Sequence, residues 1–566
     1  MFLLMFNQIL RYRKIIGLAV SFSIIFLCLN YWVIYFFSFV QNVFLSLFFF
    51  CLITIFFVFV LARQKNLTEH CFVAVPSAAI IFSFLSIIVT ILTEPFCNWN
   101  SARLAWTFSI KHGYQVFYGL SEGPILARMY GPLMPLSYWP CTWMKSPTSA
   151  ICLGSFLSVL FIFIPSISFF VMEAKKESSY KDAFFYYFLF LCLFSFNSYP
   201  LSRSIFMIHA DAPSLGLAAF ACFFLYREKA ASKGYCRIFS AFFVACSIWT
   251  KQSAVPLAIA FPVYIWAKEG KRAAQIYFLQ IVLFLVSLLI VFSHLFGFKK
   301  MFEEMIFIPS RHPSRYPGGW LRGFLPTAGY FVKNTIVFIV IIVLVNIDKI
   351  ISLLRKRINF KEFLKENEWV LFFWVGVAMA PMAILSRLKE GGDVNNFSFS
   401  VYFFVLGATI CLVPFLLKEF KESSWRRRNL AKSLFCILIF CLMLFCFNTS
   451  YLHLGSVIAM DQNPQEEAYT FSLQNPEAVY FPDNILSTYF SDKKVYHSLD
   501  GIFDRKNAKI PIDSQHFKRY LPRKLKEIAI PKRYLWRHAY VLEKFPEFYL
   551  QKESKKTFFW TVYEKQ

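Results

Sequence analysis

The chain has 566 residues, 57% of them hydrophobic and 20% aromatic, with 72 Phe, and its mean hydropathy is +0.52. A soluble protein could not hide this much apolar surface, whereas a polytopic membrane protein leaves it in lipid. The net charge of +26 invites a nucleic-acid partner, but the basic residues lie in short clusters between apolar runs, which is the positive-inside pattern, and nucleic acid is rejected as a partner.

A helix crossing the hydrocarbon core needs about 20 apolar residues. Taken in chain order, the candidate spans are 15–36, 37–61, 70–93, 149–172, 182–199, 212–226, 237–250, 253–267, 273–297, 331–348, 368–386, 398–417 and 431–449. Arg11, Arg13 and Lys14 precede the first run, which is too long for a signal-peptide core and is read as a retained helix with a cytoplasmic N-terminus. The spans 212–226, 237–250 and 253–267 are short, so they tilt or enter a protein-lined cavity. Every second loop is short and basic, as at Lys175/Lys176/Lys181, Lys268/Lys271/Arg272 and Arg426/Arg427/Arg428, and these are read as cytoplasmic. The remaining loops are longer, richer in Gly, Pro and aromatic residues, and face outward.

The expected fold is therefore an α-helical polytopic membrane domain over 1–450, with about thirteen crossings, followed by a small extracytoplasmic α/β domain over 451–566. In that tail, 478–481, 494–497, 527–530, 540–542 and 557–563 read as strands, with turns at Pro482-Asp483-Asn484 and Asp500-Gly501. The Phe- and Lys-rich style points to a bacterial inner membrane, which would place the tail in the periplasm. Most of the 14 Cys lie in apolar runs and behave as small hydrophobes. Cys97 and Cys141 fall in an outer loop, either as a disulfide or as two unpaired thiols.

Four polar islands interrupt the apolar runs, at 94–140, 203–211, 249–252 and 387–396, and the alternation puts all of them on the outer side. The first holds Glu94, a carboxylate just beyond a helix end that suits a general base, and Asn100, Arg103, Lys111, Arg128 and Tyr130. Its arginines could hold a phosphate; equally, Glu94 could be solvated at the interface and Arg103 could meet lipid headgroups. The second reads His209-Ala-Asp211-Ala-Pro213, where Asp211 is a helix N-cap or an ionisable group held at a membrane helix mouth for function. The third, Lys251-Gln252, is a snorkelling lysine or a phosphate ligand. In the fourth, Lys389, Gly391, Gly392, Asp393 and Asn395 offer a close backbone approach and an anion-binding nest between charged side chains, more than a mere turn needs. The outer loop at 298–330 is read as a surface loop anchored by Trp320.

The acidic first loop, the Tyr130-Gly131-Pro132-Leu133 stretch, the Asp211-Ala212-Pro213 helix mouth, Lys251-Gln252 and the Lys-x-Gly-Gly-Asp-x-Asn run from Lys389 to Asn395 together resemble GT-C membrane glycosyltransferases. Within these, bacterial relatives of protein mannosyltransferases and of lipid A aminoarabinose transferases are the nearest likeness. The resemblance implies an outer active site that moves a sugar from a polyprenyl-phosphate donor to a lipid, glycan or protein acceptor, with membrane lipids around it. It gives Glu94 or Asp211 the base role and Arg103, Lys251 or Lys389 the departing phosphate. It leaves Asn100, Tyr130, His209, Gln252, Gly391, Gly392, Asp393 and Asn395 to the substrate. Where relatives carry an Asp in the first loop, this chain has Asn98-Trp99-Asn100. A divalent metal could assist the phosphate, although no metal motif is visible. A transporter or lipid flippase is the alternative; it would place its charges at the midplane and show inverted repeats, and neither is seen.

Overall fold

The structure, a computed structural model, describes residues 65–228, 233–355, 357–422, 463–532 and 557–565, together with short pieces within 428–443 and at 550–551. The expected spans 15–36 and 37–61, much of 431–449 and the expected strand 540–542 lie outside the described residues. The chain divides into two compact units, one formed by 1–75 with 420–438, the other by 76–419 with 439–566. The tail and the site described below belong to the second unit.

Among the described residues, six helices are long and apolar enough to cross a membrane: His70–Phe96, Pro147–Ala174, Lys271–Phe296, Gly319–Val345, Trp369–Leu388 and Val394–Lys421. A seventh crossing is possible in Tyr180–Asn197 plus Tyr199–Phe206, which meet at 99°. Pro200 sits in the first turn after that bend, where it needs no amide partner. Asp211–Tyr226 and Gly234–Thr250 are shorter apolar helices, as the sequence suggested. Asp211–Tyr226 packs on Pro147–Ala174 through Gly216, where a Cβ would stand 2.4 Å from the Phe161 carbonyl oxygen. Small residues at such crossings let helices approach without lipid-like side chains between them.

Three expectations need correction. The outer loop after residue 94 is largely helical, with a buried helix Asn98–Lys111 and a short helix Leu133–Ser137. The span expected at 331–348 begins at Gly319, so Trp320 lies in a helix's first turn and the preceding loop folds into short helices from Phe298 to Ser310. In the tail, Asp500-Gly501 is no turn but the first turn of the helix Leu499–Asn507, and 494–497 is not a strand.

Among the described residues the tail's sheet has four strands: β1 (Val479–Tyr480), β2 (Glu527–Pro531), β3 (Leu550–Gln551) and β4 (Trp560–Glu564). Their order is β1-β2-β4-β3, parallel between β1 and β2 and antiparallel elsewhere. The tail also holds the helices Pro464–Gln474, Ile485–Asp492, Leu499–Asn507 and Ser514–Arg519.

This tail shares one apolar core with the segment that follows residue 94. Trp106, Phe108 and Phe117 pack with Tyr480, Leu486, Phe490 and Ile502. The Phe108 ring stands 5.3 Å from that of Tyr489 and 5.2 Å from that of Phe490. Hydrogen bonds repeat the pairing: the Ser101 hydroxyl donates to Asn484 Oδ1 at 2.5 Å, and the Ser498 amide donates to the Ile125 carbonyl at 2.8 Å.

His497 locks the same junction. Its Nδ1 accepts the Ile125 amide at 2.8 Å and its Nε2 donates to the Phe517 carbonyl at 2.9 Å, which fixes one neutral tautomer. Burial pushes its pKa down to about 3. An unfolded histidine takes a proton near pH ~6.5 that the folded ring refuses, so this contribution is complete above that pH and is lost as pH falls from there toward about 3. Thermal unfolding in detergent is expected to shift downward between pH ~7 and ~4, less steeply for His497→Gln; parallel slopes for the two proteins would contradict this.

Candidate functional site

The four polar islands meet in one cavity of about 740 Å³, at the ends of Trp369–Leu388, Lys233–Thr250 and Asn98–Lys111. Arg103 and Tyr130 line it from the first island, His209 from the second, and Lys251 and Gln252 from the third. Lys389, Gly391, Gly392, Asp393 and Asn395 line it from the fourth. The Phe298–Ser310 segment adds Met305 and Pro309, and the tail adds Asp500, Phe503 and Asp504.

Asp211 is the hub, although it has no exposed surface and does not itself line the cavity. It opens the helix Asp211–Tyr226, where the helix dipole favours a negative charge. Its Oδ1 pairs with the Lys251 ammonium; its Oδ2 pairs with the His209 Nδ1 and accepts Asn395 Nδ2 at 2.7 Å. Burial pushes the His209 pKa down. The neutral ring then gives its Nδ1 proton to Asp211 and accepts the Tyr130 hydroxyl at Nε2, 2.8 Å away. A chain Tyr130–His209–Asp211–Lys251 thus joins three islands.

Other contacts close the ring. Arg203 reaches Asp393 at 3.0 Å, tying the second island to the fourth. Gln252 donates to the carbonyls of Met129 at 2.6 Å and Met305 at 2.7 Å. Gly131 lies so close to the 249–252 segment that a Cβ would stand 1.7 Å from the Trp249 carbonyl oxygen, and the Gly131 amide donates to Thr250 at 3.2 Å. Only glycine permits that approach.

The glycine pair is braced from two sides. Both Arg315 and Arg387 donate to the Gly392 carbonyl. The Gly392 amide donates to the Lys389 carbonyl at 2.9 Å within the turn, and the Glu390 amide donates to the Pro313 carbonyl at 2.8 Å, so both amides are already engaged within the protein. Gly391 needs its positive φ of 77° to make that turn. Lys389 donates to the Pro309 carbonyl at 3.2 Å, and burial pushes its pKa down.

Of the cations that line the cavity, Arg103 is the least satisfied. It is 7% exposed, lies 5.0 Å over the Tyr130 ring, and its Nε and Nη1 have no hydrogen-bond partner. A buried, planar guanidinium with two open donors suits an anionic hydrogen-bond acceptor such as phosphate.

Several expected site residues lie elsewhere. Glu94 does not line the cavity; its carboxylate accepts Asn100 Nδ2 at 2.5 Å. Asn100 is fully buried and spans from Glu94 to the Ile208 amide, whose proton its Oδ1 accepts at 2.9 Å, so it holds the chain next to His209 in place. Lys111 is bound to the Thr142 carbonyl, and Arg128 lies over the Tyr118 ring at 4.6 Å, both outside the cavity. Cys97 and Cys141 are unpaired. Among the described residues no three metal-ligating side chains gather. The reading of the sequence missed Asp500 and Asp504. Their four-residue spacing on a short helix was the available signal, hidden by reading Asp500-Gly501 as a turn.

No family model matches the chain, and no curated protein matches it by sequence. Solved structures do match. ArnT from Cupriavidus metallidurans bound to undecaprenyl phosphate is 11% identical, with a TM-score of 0.51 over 86% of this chain and 98% of that one. The same protein in its apo state is 11% identical, with a TM-score of 0.50 over 86% and 97%. The Archaeoglobus fulgidus oligosaccharyltransferase tethered to an acceptor peptide is 12% identical, with a TM-score of 0.43 over 87% and 74%. The chain shares the fold of ArnT over most of its length.

Proposed function

We propose that this protein is a membrane glycosyltransferase that takes a sugar from a polyprenyl-phosphate donor and passes it to a hydroxyl of a lipid, glycan or protein acceptor. The transfer takes place at the outer face of the membrane, in a bacterium the periplasmic side. The observation that carries this reading is Arg103: nearly buried, with two open donors, in a cavity at the ends of apolar helices and alongside Lys251 and Lys389. A fold shared with a protein whose structure holds undecaprenyl phosphate supports the same donor class.

In the transfer, the acceptor oxygen bonds to the anomeric carbon as that carbon's bond to the phosphate oxygen breaks. The electron pair leaves with the lipid phosphate. The protein then has two tasks: to remove the acceptor's proton and to hold the phosphate charge as it develops. Arg103 and Lys389 meet the charge; Lys251, already paired with Asp211, adds a fixed positive end to the cavity. Tyr130, His209 and Asn395 are arranged to orient the sugar.

Binding tests this reading. Titrating the detergent-purified protein with undecaprenyl phosphate is expected to quench tryptophan fluorescence, with Trp99 at the cavity wall as one reporter. Lys389→Ala is expected to weaken binding by about 10-fold, as loss of one partly buried charge contact costs about 1.5 kcal/mol. No saturable binding by the wild type, or equal binding by the variant and by a neutral polyprenol, would contradict the proposal. Movement of the lipid across a vesicle bilayer without loss of its sugar would favour a flippase.

A further inference from the structure

A glycosyl acceptor needs a base that it can touch, and neither Glu94 nor Asp211, the two given the base role from the sequence, lines the cavity. Glu94 lies outside it, and Asp211 is fully buried with both oxygens occupied by Lys251, His209 and Asn395. The acidic residues that line it are Glu390, Asp393, Asp500 and Asp504. Asp393 is committed to Arg203 at 3.0 Å. Glu390 stands in the braced glycine turn, its amide bound to the Pro313 carbonyl at 2.8 Å. Asp500 and Asp504 stand where their charge acts on Arg103.

These two carboxylates lie four residues apart on the helix Leu499–Asn507, hence on one face. That helix is held firmly over the cavity. Gly501 rests against the Leu126 backbone, where a Cβ would stand 2.6 Å from the carbonyl carbon. Arg505 donates to the Leu120 carbonyl and reaches Glu304 at 3.4 Å. The His312 ring sits between the Asp504 carbonyl at 3.2 Å and the Glu390 carbonyl at 3.3 Å, bridging the tail to the glycine turn. Independently of the carboxylates, Arg103 points to an anion in the same space through its open Nε and Nη1, in a side chain more than nine-tenths buried.

The geometry points to the tail helix as the source of the general base: Asp500, with Asp504 beside it, takes the proton from the acceptor hydroxyl. The inference rests on the glycosyl-transfer reading and deepens it. The hydroxyl oxygen forms its bond to the anomeric carbon, its proton passes to an Asp500 carboxylate oxygen, and the lipid phosphate departs toward Arg103 with the electron pair. Burial raises the pKa of both acids, and Arg103 opposes the rise. Asp504 is raised well above its ordinary value, in part by Asp500, and its Oδ1 lies 3.9 Å from His312 Nε2. The consequence is that the tail is a working part of the active site.

The experiment compares wild type, Asp500→Asn, Asp500→Glu and Asp504→Asn in detergent. The probes are radiolabelled polyprenyl-phosphate sugars, read by release of polyprenyl phosphate, together with direct binding of undecaprenyl phosphate. Asp500→Asn is expected to lose about 10²–10⁴-fold in turnover, with lipid-phosphate binding kept or tightened because a negative charge near Arg103 is gone. Asp500→Glu is expected to recover part of the rate. Gly501→Ala, which pushes the helix off Leu126, is expected to lower turnover without touching either carboxylate. Turnover of Asp500→Asn at the wild-type rate overturns the inference, as does an equal loss of turnover and binding, or a loss confined to Glu390→Gln. A wild type that binds but never releases polyprenyl phosphate from any donor overturns the transferase reading itself.

Discussion

Replacing Lys251 by Met is expected to abolish turnover and to cost the fold about 3–5 kcal/mol, because it leaves the Asp211 charge buried without its cation. The two side chains are 5% and 0% exposed, so water cannot substitute. His209 cannot replace the lysine, since its neutral ring already gives its Nδ1 proton to the same carboxylate. The double variant Lys251→Met/Asp211→Asn removes the charge as well as its partner. It is expected to recover most of the lost stability and none of the turnover. Denaturant titration of the detergent-solubilised protein measures the first, donor discharge the second. If the single variant were as stable as wild type, the buried ion pair would not be organising the site.

Arg103→Gln is expected to lower kcat/KM by about 10²–10³-fold, the usual cost of removing one donor aimed at developing charge. Gln keeps a polar planar end but loses the charge, the fork and the stacking on Tyr130. Arg103→Lys is expected to recover only a small part, since a point charge on a flexible stem cannot bridge two phosphate oxygens while lying on the ring. Arg103 Nε and Nη1 hold no acceptor, so removing them breaks no hydrogen bond, and the fold is expected to lose less than in Lys251→Met. A large loss of stability, or an unchanged kcat/KM, would show that Arg103 only supports the first loop.

Much of this arrangement was legible from residue type and order. Apolar runs with basic loops between them mark the helices, and charge clusters at helix ends mark the wall of a cavity. What the sequence hid was contact at a distance. Lys251 and Asp211 are each readable as a surface charge or a cap, and only folding pairs them across 40 positions. The helix Asn98–Lys111 looked like a loop because its polar residues break an apolar run. Its buried face meets the tail, which no local period reveals. Gly318, Gly319 and Pro326 resembled a loop before a span, yet Pro326 lies inside the helix Gly319–Val345. Gly501 looked like a turn residue; it is a helix residue that must be small because the Leu126 backbone lies against it. Once that glycine is misread, Asp500 and Asp504 drop out of view.

The central claim is that one cavity, built from all four polar islands and closed by the tail, discharges a lipid-linked sugar. The most direct measurement reconstitutes the purified full-length protein in vesicles with a panel of radiolabelled polyprenyl-phosphate sugars and an envelope-lipid acceptor fraction, and follows free polyprenyl phosphate with time. Release that depends on the acceptor, for at least one sugar, and that disappears in both Lys251→Met and Arg103→Gln is the expected result. Intact donor throughout, or release that both variants sustain, would contradict it.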